Sequence, residues 1–181
     1  MKADLLLGAV YERDVAASLE RIWENVHDWE HLPWLHNSEF SDIRMEETGD
    51  WGWRAQVVGP TERGAQRTHI ELRREPSTER YHTRTLDGPT EGADTVTTLT
   101  RQGPRKTHVR VEFLLPGEDP ERVRRMGEIL RAMYRQFWDE DEAMMIRRQA
   151  WLDGRRRRRN DPLALGHVDR LRARLPLVLD A

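Results

Sequence analysis

The 181-residue sequence contains no cysteine. That absence excludes a disulfide framework, a thiolate zinc site and an iron–sulfur cluster carried by this chain. Long apolar runs are missing too. The amino terminus, Met-Lys-Ala-Asp-Leu-Leu-Leu-Gly, is interrupted by Asp4 and is too short for a signal peptide, and no stretch approaches a membrane span. The expectation is a soluble cytoplasmic protein with no membrane partner. Nor does charge of one sign dominate. The sequence has 30 Lys and Arg against 32 Asp and Glu, a formal net charge of −2, so no global field draws the chain to nucleic acid or to an anionic membrane. No internal repeat is visible.

What is present is a polar but globular composition, 37% hydrophobic and 34% charged residues, in a length that allows one core plus an appended tail. The seven Trp must carry much of that core. Leu5 to Arg13 reads as a first strand. Asp14 or Ser18 then opens a helix in which Leu19, Ile22, Trp23, Val26 and Trp29 fall at helical spacing, and Pro33 stops or kinks it. From Phe40 onward the pattern turns to period two. Segments 40–47, 51–57, 66–74, 80–86, 94–101 and 106–115 alternate, separated by Gly- and Pro-rich connections such as Asp87-Gly88-Pro89, and predict an antiparallel meander of about five or six strands.

A long helix follows, with Asp119 as its N-cap, Pro120 in the first turn, and Val123, Met126, Leu130, Met133, Phe137 and Met144 as one apolar stripe. After it come Gly154, five arginines over Arg155 to Arg159, and a short helix with Leu163, Leu165, Val168, Leu171 and Leu175. The division expected is a folded domain over residues 1–153 and a basic linker with a short carboxy-terminal helix and tail over 154–181. The fold class is α+β, a curved antiparallel sheet around a long carboxy-terminal helix with a cavity between them. This order of elements resembles the helix-grip fold of the START and polyketide-cyclase (SRPBCC) superfamily.

The sharpest local signal is Asn25-Val-His27-Asp28-Trp-Glu30-His31-Leu-Pro33-Trp-Leu-His36. In an unbroken helix His31 and His36 would lie about 140° apart and could not share a metal. A helix ended at Pro33 lets His36 swing back. Asp141 lies within the buried stripe of the long helix, where a carboxylate is costly unless it is paired or bound to a cation. Glu140 is a neighbouring possibility for that role. Two histidines and one carboxylate form the donor set of non-haem iron(II) sites with open coordination positions.

At these residues the resemblance becomes specific. Asn25, Asp28, His31 and His36 form the run Asn-x-x-Asp-x-x-His-x-x-x-x-His, which is similar to the mononuclear iron motif of Rieske non-haem iron ring-hydroxylating oxygenases. The catalytic domain of that family is a helix grip, and its third ligand is an Asp in an acidic patch on the carboxy-terminal helix. The resemblance implies that His31, His36 and Asp141 hold one iron(II), Fe(2+). It also implies that Asp28, with Asn25 nearby, lies just outside the ligands, hydrogen-bonded to a ligand histidine and relaying electrons. The expected activity is oxygenation of an apolar or aromatic small molecule, in a homo-oligomer such as the trimer the resemblance suggests. The family's Rieske cluster needs two Cys, which this chain lacks. Either a separate Rieske or ferredoxin-type protein supplies electrons, or the iron does chemistry that needs no reductant, or the domain only binds. A hydrophobic-ligand-binding module and a metal-dependent cyclase or hydrolase are the competing functions.

Other residues keep alternatives open. His27 and His31 are four apart, a zinc-like spacing. Asp141 could pair with Arg101 or Arg54. Glu30 is either a proton shuttle or a solvated helix residue. Trp34, Trp51, Trp53 and Phe137 are candidate pocket residues, although alternating Trp also serves as plain core. His69, His82 and His108 are expected on the outer face of the sheet. The arginine run is read as a solvated helix end; docking to an acidic redox partner would use the same patch.

Overall fold

The computed structural model describes residues 4–61, 64–75 and 77–160, the last five as backbone only. Among the described residues seven strands form one antiparallel sheet in the order β1-β7-β6-β5-β4-β3-β2. They are β1 (Leu5–Val15), β2 (Asp42–Gly49), β3 (Gly52–Thr61), β4 (Gly64–Arg74), β5 (Arg80–Thr85), β6 (Asp94–Gly103) and β7 (Lys106–Pro116). Six of these make the expected meander, and β1 closes on β7 as the far edge. Alternation along β7 explains the sheet's two faces: Val109, Val111, Phe113 and Leu115 are buried, and the residues between them are not.

The outward residues are held by ion pairs rather than by apolar contact. Arg54 on β3 faces Glu71 on β4, 2.6 Å apart. His69 bonds Asp87, His82 lies between Glu75 and Asp94, and His108 bonds Asp14. The three histidines therefore sit where the alternation places them, in outer-face polar networks.

Between β1 and β2 the chain is helical in three short pieces: α1 (Leu19–His27), a 3-10 turn (Trp29–His31) and α2 (Leu32–Leu35). Ser18 is the N-cap of α1, its hydroxyl accepting from Arg21 N at 3.3 Å. The break differs from the one expected at Pro33. α1 ends at Asp28, and Pro33 stands in the first turn of α2, where its fixed φ and missing N–H are tolerated.

The long helix α3 (Pro120–Asn160) is capped as expected, Asp119 Oδ1 accepting from Glu121 N at 2.9 Å and Arg122 N at 3.3 Å. The chain divides into two compact units, residues 1–145 and 146–181. In the first, the inward face of α3 is Val123, Gly127, Leu130, Tyr134, Trp138, Asp141 and Met145. Met126, placed on the stripe by sequence, is 38% exposed. Gly127 marks the closest approach of α3 to the sheet: a Cβ there would lie 2.3 Å from the carbonyl carbon of Gly8 on β1. Leu115 and Val123 pack beside that contact, and the main core gathers Tyr11, Val15, Ile22, Trp53, Leu99, Phe113 and Trp138. In the second unit the backbone stays helical to Asn160, through Gly154 and the five arginines, with Arg155 over the Trp151 ring at 4.7 Å. Arginine is a good helix former, and one Gly costs a helix only about 1 kcal/mol. The short helix expected over Leu163 to Leu175 lies outside the described residues.

Candidate metal centre

Two histidines close in sequence and a carboxylate far from them meet where the 3-10 turn and the end of α2 face α3. His31 closes the 3-10 turn, His36 is the C-cap of α2, and Asp141 projects from the inward face of α3. One ligand atom from each lies within 4.8 Å of the other two. Asp141 Oδ1 is 3.3 Å from His36 Nε2 and 3.5 Å from His31 Nε2. It is buried and forms no well-directed hydrogen bond to either ring.

The far nitrogens of both rings are already engaged. His31 Nδ1 hydrogen-bonds the backbone carbonyl oxygen of Asp28, and His36 Nδ1 lies 2.6 Å from Glu140 Oε2. Both partners are acceptors, so each ring, when neutral, carries its proton on Nδ1 and turns the Nε2 lone pair toward Asp141. Two imidazole lone pairs and a carboxylate oxygen converging on one point repel one another unless a proton on one ring or a metal cation lies between them. Borderline nitrogen donors with one hard oxygen suit a divalent transition metal. The residues therefore fit the group that the sequence motif implies.

Proton affinities follow the same geometry. Burial lowers the pKa of His31, against the pull of Asp141. Burial opposes the charge of His36 too, but Asp141 and Glu140 outweigh it and hold its pKa above the ordinary imidazole value.

The acidic run on α3 resolves into three tasks. Asp139 and Glu142 grip Arg13 of β1, Asp139 at 2.6 Å, and Glu142 also accepts from Ala16 N. Glu140 meets His36, and Asp141 alone points inward with both histidines. The alternative partners fall away: Arg101 pairs with Glu20, and Arg54 with Glu71 and Glu47. His27 is exposed, bonds Trp23 O at 2.7 Å, and stays outside the cluster. Glu30 is exposed.

No protein-family model matches the chain, and no curated protein matches it. Solved structures do. A START-superfamily protein from Mycobacterium smegmatis is 18% identical, with 77% of this chain and 99% of that one aligned at a TM-score of 0.62. The Zhui aromatase/cyclase from a Streptomyces species is 12% identical over 80% and 95% of the two chains, with a TM-score of 0.63. Norcoclaurine synthase from Thalictrum flavum is 14% identical over 81% and 89%, with a TM-score of 0.60. The fold is the START/SRPBCC helix grip. At these identities the likeness carries the fold alone, and these neighbours do not support a Rieske oxygenase domain in particular.

Within this helix grip the triad heads a cavity of about 120 Å³. Trp29, Phe40, Trp53, Tyr81, Tyr134 and Phe137 are among the residues of its wall. Asn25, buried, and Asp28, exposed, line it beside the histidines. The contact Asp28 makes to His31 is through its backbone carbonyl, not through the side chain that the resemblance implies.

Of the four pocket residues expected from sequence, Trp53 and Phe137 line the cavity and two do not. Trp34 is 84% exposed on α2, beside a surface groove with Trp29 and Pro33. Trp51 falls in the β2–β3 turn and stacks under Arg73 at 4.6 Å. Tyr81, Tyr134 and Trp138 were not singled out by sequence reading. The signal for the last two was present in their spacing, Tyr134 seven and Trp138 three residues before Asp141.

Proposed function

We propose that this helix-grip protein binds a small apolar molecule in its cavity and that His31, His36 and Asp141 hold one iron(II) beside it for oxygenase-type chemistry. The observation that carries this reading is the convergence of two Nδ1-anchored imidazoles and a buried carboxylate oxygen within 4.8 Å, at the head of an aromatic-lined cavity. Iron(II) bound by two histidines and a carboxylate supplies open coordination positions for reductive oxygen chemistry.

The chain's own residues do the rest. Glu140 and the Asp28 carbonyl fix which imidazole nitrogen faces inward. Trp53 is anchored by its Nε1–H to the Val26 carbonyl at 3.0 Å, which holds the floor of the cavity against α1. Phe137 stacks on His36 at 4.5 Å, and with Phe40 and Tyr134 it screens the triad from water. A volume near 120 Å³ suits a single-ring compound, since an apolar cavity of about 150 Å³ takes up benzene. A related fold offers a parallel: the norcoclaurine synthase structure holds dopamine and hydroxybenzaldehyde. Electrons would come from a separate donor.

A second reading is favoured by the fold relatives, an aromatase/cyclase and a synthase among them. On it the cavity binds or rearranges an apolar ligand with no oxygen chemistry. Oxygen uptake separates the two. Iron-loaded protein, given ascorbate and a panel of single-ring aromatics, is expected to consume oxygen and form a hydroxylated product, and to stop doing so in His36→Ala. Tight ligand binding with no oxygen consumed for any compound would favour the second reading.

A further inference from the structure

The two histidines of the triad are backed unequally. His31 Nδ1 rests on a neutral backbone carbonyl, whereas His36 Nδ1 rests on the carboxylate of Glu140 at 2.6 Å. His36 is 1% exposed, while the Glu140 side chain is 29% exposed and reaches the ring from the surface side. Glu140 is itself held. Its Oε1 accepts from Gln136 Nε2 at 2.9 Å, and the same amide nitrogen lies 3.1 Å from Ser38 Oγ, just past α2. The chain Ser38–Gln136–Glu140–His36 thus ties the loop that carries one ligand to the helix that carries another.

We infer that Glu140 is the positioning residue of this centre: its carboxylate holds the Nδ1–H of His36, aims Nε2 at the metal, and passes negative charge through the ring to it. This rests on the reading that His31, His36 and Asp141 bind a metal. An anion behind a ligand imidazole makes the ring a stronger donor, and removing such a partner typically lowers metal affinity 10–100-fold. The same charge favours the ferric over the ferrous state. Glu140 therefore sets both affinity and potential without touching the metal.

Two substitutions separate position from charge. Glu140→Gln keeps an oxygen that can accept from His36 Nδ1–H but loses the charge; Glu140→Ala loses both. Full-length protein is titrated with cobalt(II), followed by its visible absorption, and the ferric/ferrous potential is measured on iron-loaded samples. Thermal unfolding of the metal-free variants controls for damage to the fold. The expected result is one cobalt per wild-type chain, affinity reduced 10–100-fold in Glu140→Ala, a smaller loss in Glu140→Gln, and a raised potential in Glu140→Gln. Wild-type affinity in Glu140→Ala, or an unchanged potential in Glu140→Gln, overturns the role of Glu140 and leaves the metal centre standing. No cobalt or iron on the wild type overturns both.

Discussion

His31, His36 and Asp141 would each be better solvated in water than in the place the fold gives them. His36 is 1% exposed and Asp141 8% exposed, and the Asp141 oxygen nearest the rings lacks a well-directed hydrogen bond. Sites that oppose local preference in this way are where function is expected to reside. The cost has a pH signature. The folded pKa of His36 is raised, so in metal-free protein its charge stabilises the fold fully below the unfolded value of about 6.5. That contribution is lost as pH rises through the folded value. A metal needs the neutral ring, so iron must displace this proton at the lower end of the range. Calorimetric titration of iron(II) under anaerobic conditions at pH 6, 7 and 8 should show affinity rising with pH and protons released at pH 6. An affinity that does not change across that range would contradict the placement of His36 at the metal.

Elements explain why the three residues meet. His31 closes the 3-10 turn and His36 stands at the non-helical C-cap of α2, and between these two positions the chain departs from a regular helix, so that their ring centroids lie 5.3 Å apart. The sequence places the needed break at Pro33; in the structure α1 already ends at Asp28, Pro33 lies in the first turn of α2, and the 3-10 turn ending at His31 and the C-cap at His36 make the break between the two histidines. A proline reports only that its own N–H is not needed, which is as true of the first turn of a helix as of its end. Asp141 was legible because its spacing placed it on the inward face, even though the stripe read from sequence was rotated toward Met126 and Met144. Helix position along the sheet is fixed by Gly127 against Gly8. Gly127→Ala gains helix propensity of about 1 kcal/mol but forces a methyl into backbone. The expected outcome is a net loss of about 1–3 kcal/mol in urea denaturation together with weaker iron binding, because Asp141 rides on the same helix. A variant more stable than wild type would show that the helix is free to shift.

At the scale of the whole molecule, the alternation of apolar and polar residues was enough to recover a sheet of the right kind, since six of seven strands follow one another as neighbours. The sheet's outer face was legible for the same reason, His69, His82 and His108 lying in polar networks there. The cavity wall was less so. Trp51 belongs by alternation with Trp53, but the turn at Gly52, with φ +131°, breaks the phase between them. Cavity size depends on how far α3 stands from the sheet, which Gly127 decides and no periodicity reports. Protein prepared without oxygen and loaded with iron(II) should hold one iron per chain in the wild type. Binding should be lost in His31→Ala and His36→Ala and weakened in Asp141→Ala. No bound iron in the wild type, or binding indifferent to all three substitutions, would contradict it and leave a helix-grip protein that only binds its ligand.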